Sequence, residues 1–363
     1  VLPHFNENNI EKSFKDNGLD SIDLVTIRVG FERLIGKTIS DKDWIKFNSF
    51  YEIVQYCKVF ETKNVVFESK KPTIFFDKKY TIDMPQMSIE GLSENWLFKE
   101  LGNAHWGLLC DGLDTASGDL KDELNNRLYA TFVRIRIQSS NSLNEFNENE
   151  QIKLSGSIKR YGNGMYFSEI ELKSLQSTNK SIKSNLMTSF SIRKSTGNKE
   201  LVKSQPNITN NYIENLELID EFGSEYGKIK KQELKKITVG EYLFELNDTV
   251  LFQTEYIINP YYDLNGVGLL YFAAYPIINN ICESIYFNKK KGLLSNRWEQ
   301  TYFTLSRDIM YYANCDISDI IIYKLNNYEI INNEIIKISS SLYRKSDRKI
   351  MARLYVIKKR KIL

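Results

Sequence analysis

The chain has 363 residues, of which 42% are hydrophobic and 13% aromatic, enough apolar surface for a large core in two or three domains. Its 49 Lys and Arg nearly balance its 46 Asp and Glu, and the net charge of +3 argues against nucleic acid as a partner. There is neither an uncharged apolar run of the ~18 residues that span a bilayer nor a signal-peptide pattern. We therefore expect a cytoplasmic protein with no membrane partner.

The scarce residue types restrict the possible chemistry. The four cysteines lie far apart and form no C-x-x-C pair, which predicts neither a zinc site nor a redox site. With only His4 and His105 in the chain, a histidine-rich metal site is excluded, and a histidine-based catalytic unit would have to use His105. Catalysis is therefore expected to depend on carboxylates, amides, hydroxyls and backbone dipoles, without a metal.

The first 58 residues have helical periodicity. Apolar residues at 24, 27, 31 and 34 fall on one helix face. Asp20 or Ser21 can cap that helix, and Gly36 can end it. A second helix is predicted near 47–58, and the Lys-rich stretch around Pro72 is typical of a linker.

The rest of the chain shows one pattern twice. Each copy predicts a strand, one long and mostly apolar helix, and then several long antiparallel strands. The first copy has a strand at Tyr80–Met84, a helix at Gly91–Leu113, and strands near 127–138, 151–174 and 187–194. The second has a strand near 249–258, a helix from about Gly266 to Phe287, and strands near 301–312, 319–330, 334–343 and 348–358. The basic run 358–361 predicts a solvated end.

This pattern predicts an α+β protein with a double hot-dog fold. A helix that is apolar on most sides must be wrapped, and a curved antiparallel sheet is the natural wrapper. The predicted domains are a helical head (1–62), a linker (63–78), the first hot dog (79–195), a polar connection without assigned structure (196–245), and the second hot dog (246–363).

The run Phe14–Leu24, with its Asp20-Ser21 pair, resembles the attachment site of acyl carrier proteins, and the similarity continues through Ile39-Ser40-Asp41. The resemblance implies that Ser21 carries a covalent 4′-phosphopantetheine arm. A helix N-terminus suits such a phosphate, because its amides and dipole favour anions. Alternatively, Ser21 is only an N-cap. Twenty residues precede Ser21, so the head resembles a carrier domain that lacks its first helix.

The run Asn259–Tyr275 resembles the hot-dog thioesterase segment in which Asp-x-Asp-x-x-Gly leads into the central helix. Aligning Gly268 on that glycine puts Asn265 where those hydrolases carry a catalytic aspartate. An amide cannot serve as the base or nucleophile, but it can donate a hydrogen bond to a thioester oxygen that becomes negative. The alternative is a plain Asn-Gly turn between strand and helix.

The run Met84–Trp106 resembles the leinamycin-type bifunctional acyltransferase/decarboxylases of polyketide pathways, as do Asn259–Pro276 and the strand Arg127–Phe132. The resemblance covers most of residues 79–363 and implies a double hot dog. Such enzymes decarboxylate methylmalonyl-CoA and deliver propionyl to a carrier protein. It also implies an active-site tyrosine as acyl acceptor, for which Tyr129 is the best match; the alternative is a core tyrosine.

Further residues are candidates for contacts with the substrate or for the oxyanion site. Tyr129 alternates with Thr131, Val133, Ile135 and Ile137, which predicts one shared strand face toward the helix or the cleft. The remaining candidates lie at the entries of the two central helices: Gln86, Ser93, Asn95 and Asp263.

The sequence thus predicts an enzyme that takes methylmalonyl-CoA or malonyl-CoA, decarboxylates it and transfers the propionyl or acetyl group to the phosphopantetheine thiol of a carrier. The carrier is the chain's own head or a separate acyl carrier protein of a polyketide synthase. Two alternatives stay open: a non-catalytic module that binds an acyl carrier, and a hot-dog thioesterase or dehydratase.

Overall fold

The computed structural model describes residues 9–17, 19, 23–24, 27–28, 31–32, 39–61, 74–89, 91–161, 164–195, 197–208, 211–216, 221–290 and 297–361. It has two compact units, Val1–Thr73 and Ile74–Leu363. The predicted attachment residue Ser21 and the cap residue Asp20 lie outside the described residues. In the described part, no helix has both the length and the apolar character needed to cross a bilayer.

The described part of the first unit consists of helical segments and turns. Residues 23–24, 27–28 and 31–32 are helical, within the helix predicted there. Helices α1 (Asp41–Trp44) and α2 (Phe50–Glu61) follow, and α2 matches the second predicted helix. Phe14, Phe50 and Ile53 form a small buried core, with Phe14 and Phe50 packed edge to face at 5.5 Å.

One large antiparallel sheet dominates the second unit. The strands that follow in chain order are β1 (Phe75–Thr81), β2 (Met87–Ser88), β3 (Gly91–Leu92), β4 (Tyr129–Ser139), β5 (Gln151–Tyr161), β6 (Met165–Ser174), β7 (Ser181–Arg193), β8 (Leu201–Lys203), β9 (Lys236–Val239), β10 (Tyr242–Glu245), β11 (Phe252–Ile257), β12 (Tyr302–Tyr311), β13 (Ile320–Ile331), β14 (Ile335–Arg344) and β15 (Ile350–Arg360). The helices are α3 (Glu94–Gly112), α4 (Glu221–Lys230), α5 (Ala274–Phe287) and α6 (Trp298–Thr301).

The strand order is β1-β5-β6-β7-β4-β12-β15-β14-β13-β11, with β8 paired to β7. Both halves have the same order from the outer edge inward. The strand before the central helix (β1 or β11) is outermost, the last three strands of the copy (β5–β7 or β13–β15) come next, and the strand after the helix (β4 or β12) is innermost. The two halves therefore join through β4 and β12 into one continuous sheet. The double hot-dog prediction is confirmed.

The central helices α3 and α5 are buried against one face of this sheet. Leu97, Phe98 and Leu101 of α3 share a core with Ile278 and Cys282 of α5 and with apolar residues from both halves of the sheet. Ser93 caps α3, because its hydroxyl accepts the Trp96 amide. Because each central helix is buried on most sides, its residues are apolar around most of its circumference.

The pairing of β4 with β12 is short, and this opens the sheet. The ladder pairs Arg134–Gln138 with Met310–Ser306, in antiparallel order, and stops there. Before Arg134 and after Met310 the two strands no longer pair. The middle of the molecule therefore contains a gap between the two halves, which we call the seam.

A bulge in β4 divides the face that alternation predicts for this strand. The register with β7 shifts between Phe132 and Arg134, so one residue is inserted and alternation reverses. Ile135 and Ile137 lie in the core around α3, whereas Val133 packs against Phe222 with another cluster. The prediction of one shared face from Tyr129 to Ile137 is therefore wrong.

The connection between the hot dogs, unassigned from sequence, is ordered where it is described. It forms β8, α4 and the β9–β10 hairpin. The hairpin packs on Met310, Tyr355 and Ile357, and α4 places Phe222 beneath Arg134, 4.3 Å from the guanidinium to the ring centre. This segment thus covers the face of the central strands opposite to α3 and α5.

A buried charge network fixes α4 to the central strands. Asp308 and Arg134 are fully buried, and Arg134 donates to Asp308 at 2.7 and 3.0 Å. Arg136 donates to Asp308 at 2.6 Å, and both arginines reach Glu225 of α4. Burial opposes ionisation of Asp308, but the two guanidinium charges outweigh it and lower its pKa.

Two element starts and the exposure of one lysine differ from the sequence predictions. Strand β1 begins at Phe75, inside the range predicted as linker. Helix α5 begins at Ala274 rather than Gly266, because the Asn265 side chain bonds the next backbone amides and holds a turn in place of a helix. Lys358 is buried and pairs with Glu283 at 2.6 Å, so the prediction of a solvated basic end is wrong at that residue.

Replacing Asp308 with Asn should destabilise the protein by about 3–5 kcal/mol, because it leaves the fully buried Arg134 and the partly buried Arg136 with only the more exposed Glu225 as a carboxylate partner. The carboxylate of Asp248, which is 67% exposed and pairs with Arg353, provides the control: Asp248→Asn should change stability by less than about 1 kcal/mol. Urea unfolding measures both.

The ion pairs of Asp308 also predict how the stability of the fold depends on pH. The folded-state pKa of Asp308 is lowered below the value of about 3.9 expected in an unfolded chain. Its ionised form therefore stabilises the fold above that pH, and the contribution is lost as the pH falls through the folded-state pKa. Asp308→Asn should flatten the loss of stability on acidification; an unchanged acid limb would contradict this assignment.

Candidate functional site

The segment between β11 and α5, residues 258–273, carries two of the predicted site residues and is rigidly held. Asp263 is only 1% exposed, and its carboxylate accepts the Asn259 amide at 2.7 Å and the Tyr256 hydroxyl at 2.9 Å. Asp263 therefore fixes the start of the loop. It does not line either of the two cavities described below.

Asn265 has a defined orientation. Its side-chain oxygen accepts the backbone amides of Val267 at 3.1 Å and Leu269 at 3.0 Å. Since only the oxygen can accept, the amide nitrogen must point away from the loop, and among the described residues it has no acceptor. Gly268, with φ of +78°, provides the left-handed conformation that the tight turn requires.

The loop is tied to both neighbouring strand ends. Asn314, just after β12, accepts the Leu270 amide and donates to the Leu270 carbonyl at 3.1 Å. Asn198, in the β7–β8 connection, donates to the Gly268 carbonyl at 2.6 Å. These bonds preorganise the Asn265 amide, which costs no reordering when a substrate binds.

Two cavities meet at Asn265. The first, of about 430 Å³, lies at the seam and is lined by Ala130–Val133 of β4 and by Tyr311–Asn314 around the end of β12; we call it the seam cavity. The second, of about 320 Å³, is lined by Gly102, Asn103, His105 and Trp106 of α3; we call it the helix cavity. Both are lined by Ala130, Phe132, Asn265, Leu269, Tyr271 and Phe272.

Tyr129 lines the helix cavity, and Arg193 holds it. Arg193, at the end of β7, donates to the Tyr129 hydroxyl at 3.1 Å, to the Val267 carbonyl, and to the Asn198 side chain at 2.9 Å. Because a guanidinium cannot accept a hydrogen bond, the Tyr129 oxygen is the acceptor in this bond. The O–H of Tyr129 is not used in it and can donate elsewhere. The structure thus links Tyr129 and the Asn265 loop through one side chain.

His105 lines the helix cavity, but both of its ring nitrogens are hydrogen-bonded to side chains of the sheet. Its Nδ1 lies 2.6 Å from the Ser168 hydroxyl and its Nε2 lies 2.8 Å from the Thr188 hydroxyl. Complete burial lowers the pKa of His105 to about 3, so the ring is neutral. Its role is that of a satisfied core residue.

The candidates before α3 lie elsewhere. The Gln86 side chain accepts the Asp83 amide, Ser93 caps α3, and Asn95 donates to the Tyr262 hydroxyl at 2.5 Å. None of the three lines the seam cavity or the helix cavity. The structure therefore brings Tyr129 and Asn265 together. Gln86 lies in a local turn, Ser93 caps α3, and Asn95 contacts Tyr262 in the segment before α5.

An aromatic pair lies between the two cavities. The rings of Phe132 and Phe272 are 4.2 Å apart. A Cβ added to Gly102 would lie 2.2 Å from Phe272 Cζ, so only glycine lets this ring approach α3 so closely. Sequence reasoning found neither Gly102 nor Arg193; a glycine in the middle of an apolar helix was the available signal for the first.

In the described residues, no cluster of three or more His, Cys, Asp or Glu side chains could hold a metal ion. The polar groups at the two cavities include amides, phenols, hydroxyls and lysine ammonium groups. Such groups can orient a polar ligand and stabilise an oxyanion.

Comparison with known proteins identifies the fold. No protein-family model and no curated protein matches the sequence. Among solved structures, the chain is similar to the 12:0-ACP thioesterase from Umbellularia californica, with 11% identity and a TM-score of 0.52 over 79% of this chain and 95% of the other. It is also similar to an assigned oleoyl thioesterase from Lactobacillus plantarum, with 10% identity and a TM-score of 0.56 over 80% and 97%. An acyl-ACP thioesterase from Bacteroides thetaiotaomicron gives 10% identity and a TM-score of 0.50 over 80% and 99%. At such identities the similarity shows a shared hot-dog fold.

Gly102→Ala should destabilise the protein by about 1–3 kcal/mol, since the added methyl group overlaps Phe272. Gly107, in the same helix, is the matched control: a Cβ there meets nothing within 4 Å. Gly107→Ala should stabilise by up to about 1 kcal/mol through helix propensity. Thermal or urea unfolding gives both values, and equal effects would show that Gly102 has no special packing role.

Proposed function

We propose that the chain is an acyltransferase/decarboxylase for thioesters of pantetheine carriers, acting at Asn265. It takes methylmalonyl-CoA or malonyl-CoA, releases CO₂, and passes the propionyl or acetyl group to the thiol of a carrier-bound phosphopantetheine. The observation that carries the proposal is the fixed Asn265 amide, which presents a free donor to two joined cavities that contain no available base.

Among the described residues that line the cavities, no carboxylate or imidazole is available as a base. Glu200 is the one carboxylate among them, and it is exposed and paired with Lys194 at 3.4 Å. His105 has both ring nitrogens engaged. Hydrolysis needs a group that activates water, so this arrangement supports transfer over hydrolysis.

Decarboxylation needs a place for the electron pair. The bond between the α-carbon and the carboxylate breaks, CO₂ leaves, and the pair moves onto the thioester oxygen as an enolate. The Asn265 side-chain nitrogen would donate to that oxygen, an interaction that strengthens as charge develops. The α-carbon then takes up a proton and gives the saturated acyl thioester.

Transfer follows by thioester exchange. The carrier thiol attacks the acyl carbon, the bond to the coenzyme A sulfur breaks, and the thiol proton ends on the released coenzyme A. In the two-step alternative, the Tyr129 oxygen attacks the acyl carbon, the bond to the coenzyme A sulfur breaks, and the phenol proton ends on the released coenzyme A. The carrier thiol then attacks the aryl ester, and its proton returns to the Tyr129 oxygen. Arg193 holds the Tyr129 oxygen in place and puts a positive charge next to it.

The acceptor in this proposal is a 4′-phosphopantetheine arm on Ser21 or on a separate carrier protein of a polyketide synthase. The resemblance of the run Phe14–Leu24 to carrier attachment sites supports the first option. The small buried core of Phe14, Phe50 and Ile53 is compatible with a helical bundle around that segment.

A second candidate function is thioester hydrolysis. It is favoured by the names of the similar structures, all of which are thioesterases, and it would use the same cavities. The two functions differ in the fate of the acyl group, which appears on a thiol in one case and as a free acid in the other.

We expect the full-length protein, after treatment with a phosphopantetheinyl transferase and methylmalonyl-CoA, to gain the mass of a propionyl-loaded arm. Intact-protein mass spectrometry measures the adduct, and chromatography of the small molecules measures propionyl-CoA. Ser21→Ala should remove the arm and its adduct while propionyl-CoA still forms. Free methylmalonate or propionate as the main product would establish the hydrolase instead.

Tyr129→Phe separates the two transfer routes in the same assay. The variant keeps the ring and loses the oxygen that Arg193 contacts. In the two-step route it should abolish adduct formation, while in the direct route transfer persists. If the phosphopantetheine arm is verified on the wild-type protein and still gains no acyl mass, the chain is instead a non-catalytic module that binds an acyl carrier.

Asn265→Asp should lower the rate of decarboxylation by about 10²–10³-fold, because the carboxylate cannot donate to the enolate oxygen. It should also raise the release of free acid, since the new group can activate water. Aspartate can still accept the Val267 and Leu269 amides, so the unfolding midpoint should hold. Undiminished CO₂ release from a folded Asn265→Asp protein would reject the role of Asn265.

A further inference from the structure

The lining of the seam cavity is rich in lysine. Five lysines line it, and they come from four separate parts of the fold: Lys194 and Lys199 from the β7–β8 connection, Lys203 from β8, Lys230 from the end of α4, and Lys349 from the turn before β15. One carboxylate, Glu200, lines the same cavity. The whole chain has nearly equal numbers of acidic and basic residues, so this excess is local.

Three of the five lysines form no ion pair among the described residues, although the Asp347 carboxylate lies near Lys349. Lys194 pairs with Glu200, and Lys199 lies 3.2 Å from Asp319. In the described part of the chain, the ammonium groups of Lys203, Lys230 and Lys349 form neither an ion pair nor a hydrogen bond. Like charges gathered around one cavity repel one another, and an anionic ligand would remove that cost.

We propose that these lysines bind the phosphates of coenzyme A, whose pantetheine arm then passes through the seam to Asn265. The inference rests on the proposed function, and it names the carrier that occupies the seam cavity. Asn265 lines the cavity together with the lysines, so a molecule with phosphates at one end and a thioester at the other fits both groups.

The number of lysines favours coenzyme A over a carrier-bound arm. Coenzyme A carries a pyrophosphate and a ribose phosphate, whereas the arm of a carrier protein has a single phosphodiester. Compact ammonium groups on flexible stems suit several phosphates at different positions. Tyr226 and Tyr312, stacked with their ring centres 5.9 Å apart at the same cavity, add an aromatic surface beside the lysines.

The test measures the binding of coenzyme A itself, which has no acyl group and therefore needs none of the chemistry at Asn265. The triple variant Lys203→Glu, Lys230→Glu, Lys349→Glu should weaken binding at least tenfold and reduce its dependence on salt. A matched triple variant, Lys79→Glu, Lys159→Glu, Lys183→Glu, changes exposed lysines outside both cavities and should stay within about twofold of wild type. Isothermal titration calorimetry at two salt concentrations provides the values.

Pantetheine, which lacks phosphates, should bind wild type and both triple variants equally. The single variant Lys230→Gln should weaken coenzyme A binding in the same direction, which keeps the test decisive if the triple variant folds poorly. Equal binding of coenzyme A to wild type and the first triple variant would overturn the proposal, as would lysine-dependent binding of a holo carrier protein without binding of coenzyme A. Lysine-dependent binding without any acyl transfer would leave this site intact and remove the proposed function alone.

Discussion

The central constraint is the short ladder between β4 and β12. Five residue pairs join the two halves of the sheet, and after Arg134 and Met310 the strands separate. A longer ladder would close the sheet and leave no space between the halves. Arg134 is the last paired residue of β4, and it forms a buried ion pair with Asp308 in the middle of the ladder. The charge network that secures the joint therefore extends to the point where the opening begins.

The site follows from that opening. Strands β4 and β12 separate at the seam. The Asn265 loop borders this opening from the α5 side, and Arg193 of β7 donates a hydrogen bond to the loop. The amide of Asn265 is presented by backbone bonds within its own loop, while Asn198 and Asn314 tie that loop to strands of different halves. Neither hot dog alone provides all of these contacts. The candidate site therefore belongs to the pair.

Much of the fold could be predicted from residue patterns. The repeated order of strand, apolar helix and long strands predicted both halves, because a helix apolar on most sides needs a wrapping sheet. The β5–β6 hairpin and the strands β12 to β15 follow alternating apolar runs. The connection could not be predicted, because α4 is a short and polar helix, and its main anchor, Glu225, contacts arginines far away in sequence.

The sequence by itself determined the double hot-dog architecture and the amide side chain at position 265, since these depend on local periodicity and on one residue type. Only the tertiary structure decided which candidates meet: Tyr129 and Asn265 both line the helix cavity, while Gln86, Ser93 and Asn95 line neither cavity. A one-residue bulge after Phe132 reversed the face of β4, and burial beside Glu283 took Lys358 out of solvent. Both depend on partners distant along the chain, which a local pattern does not encode.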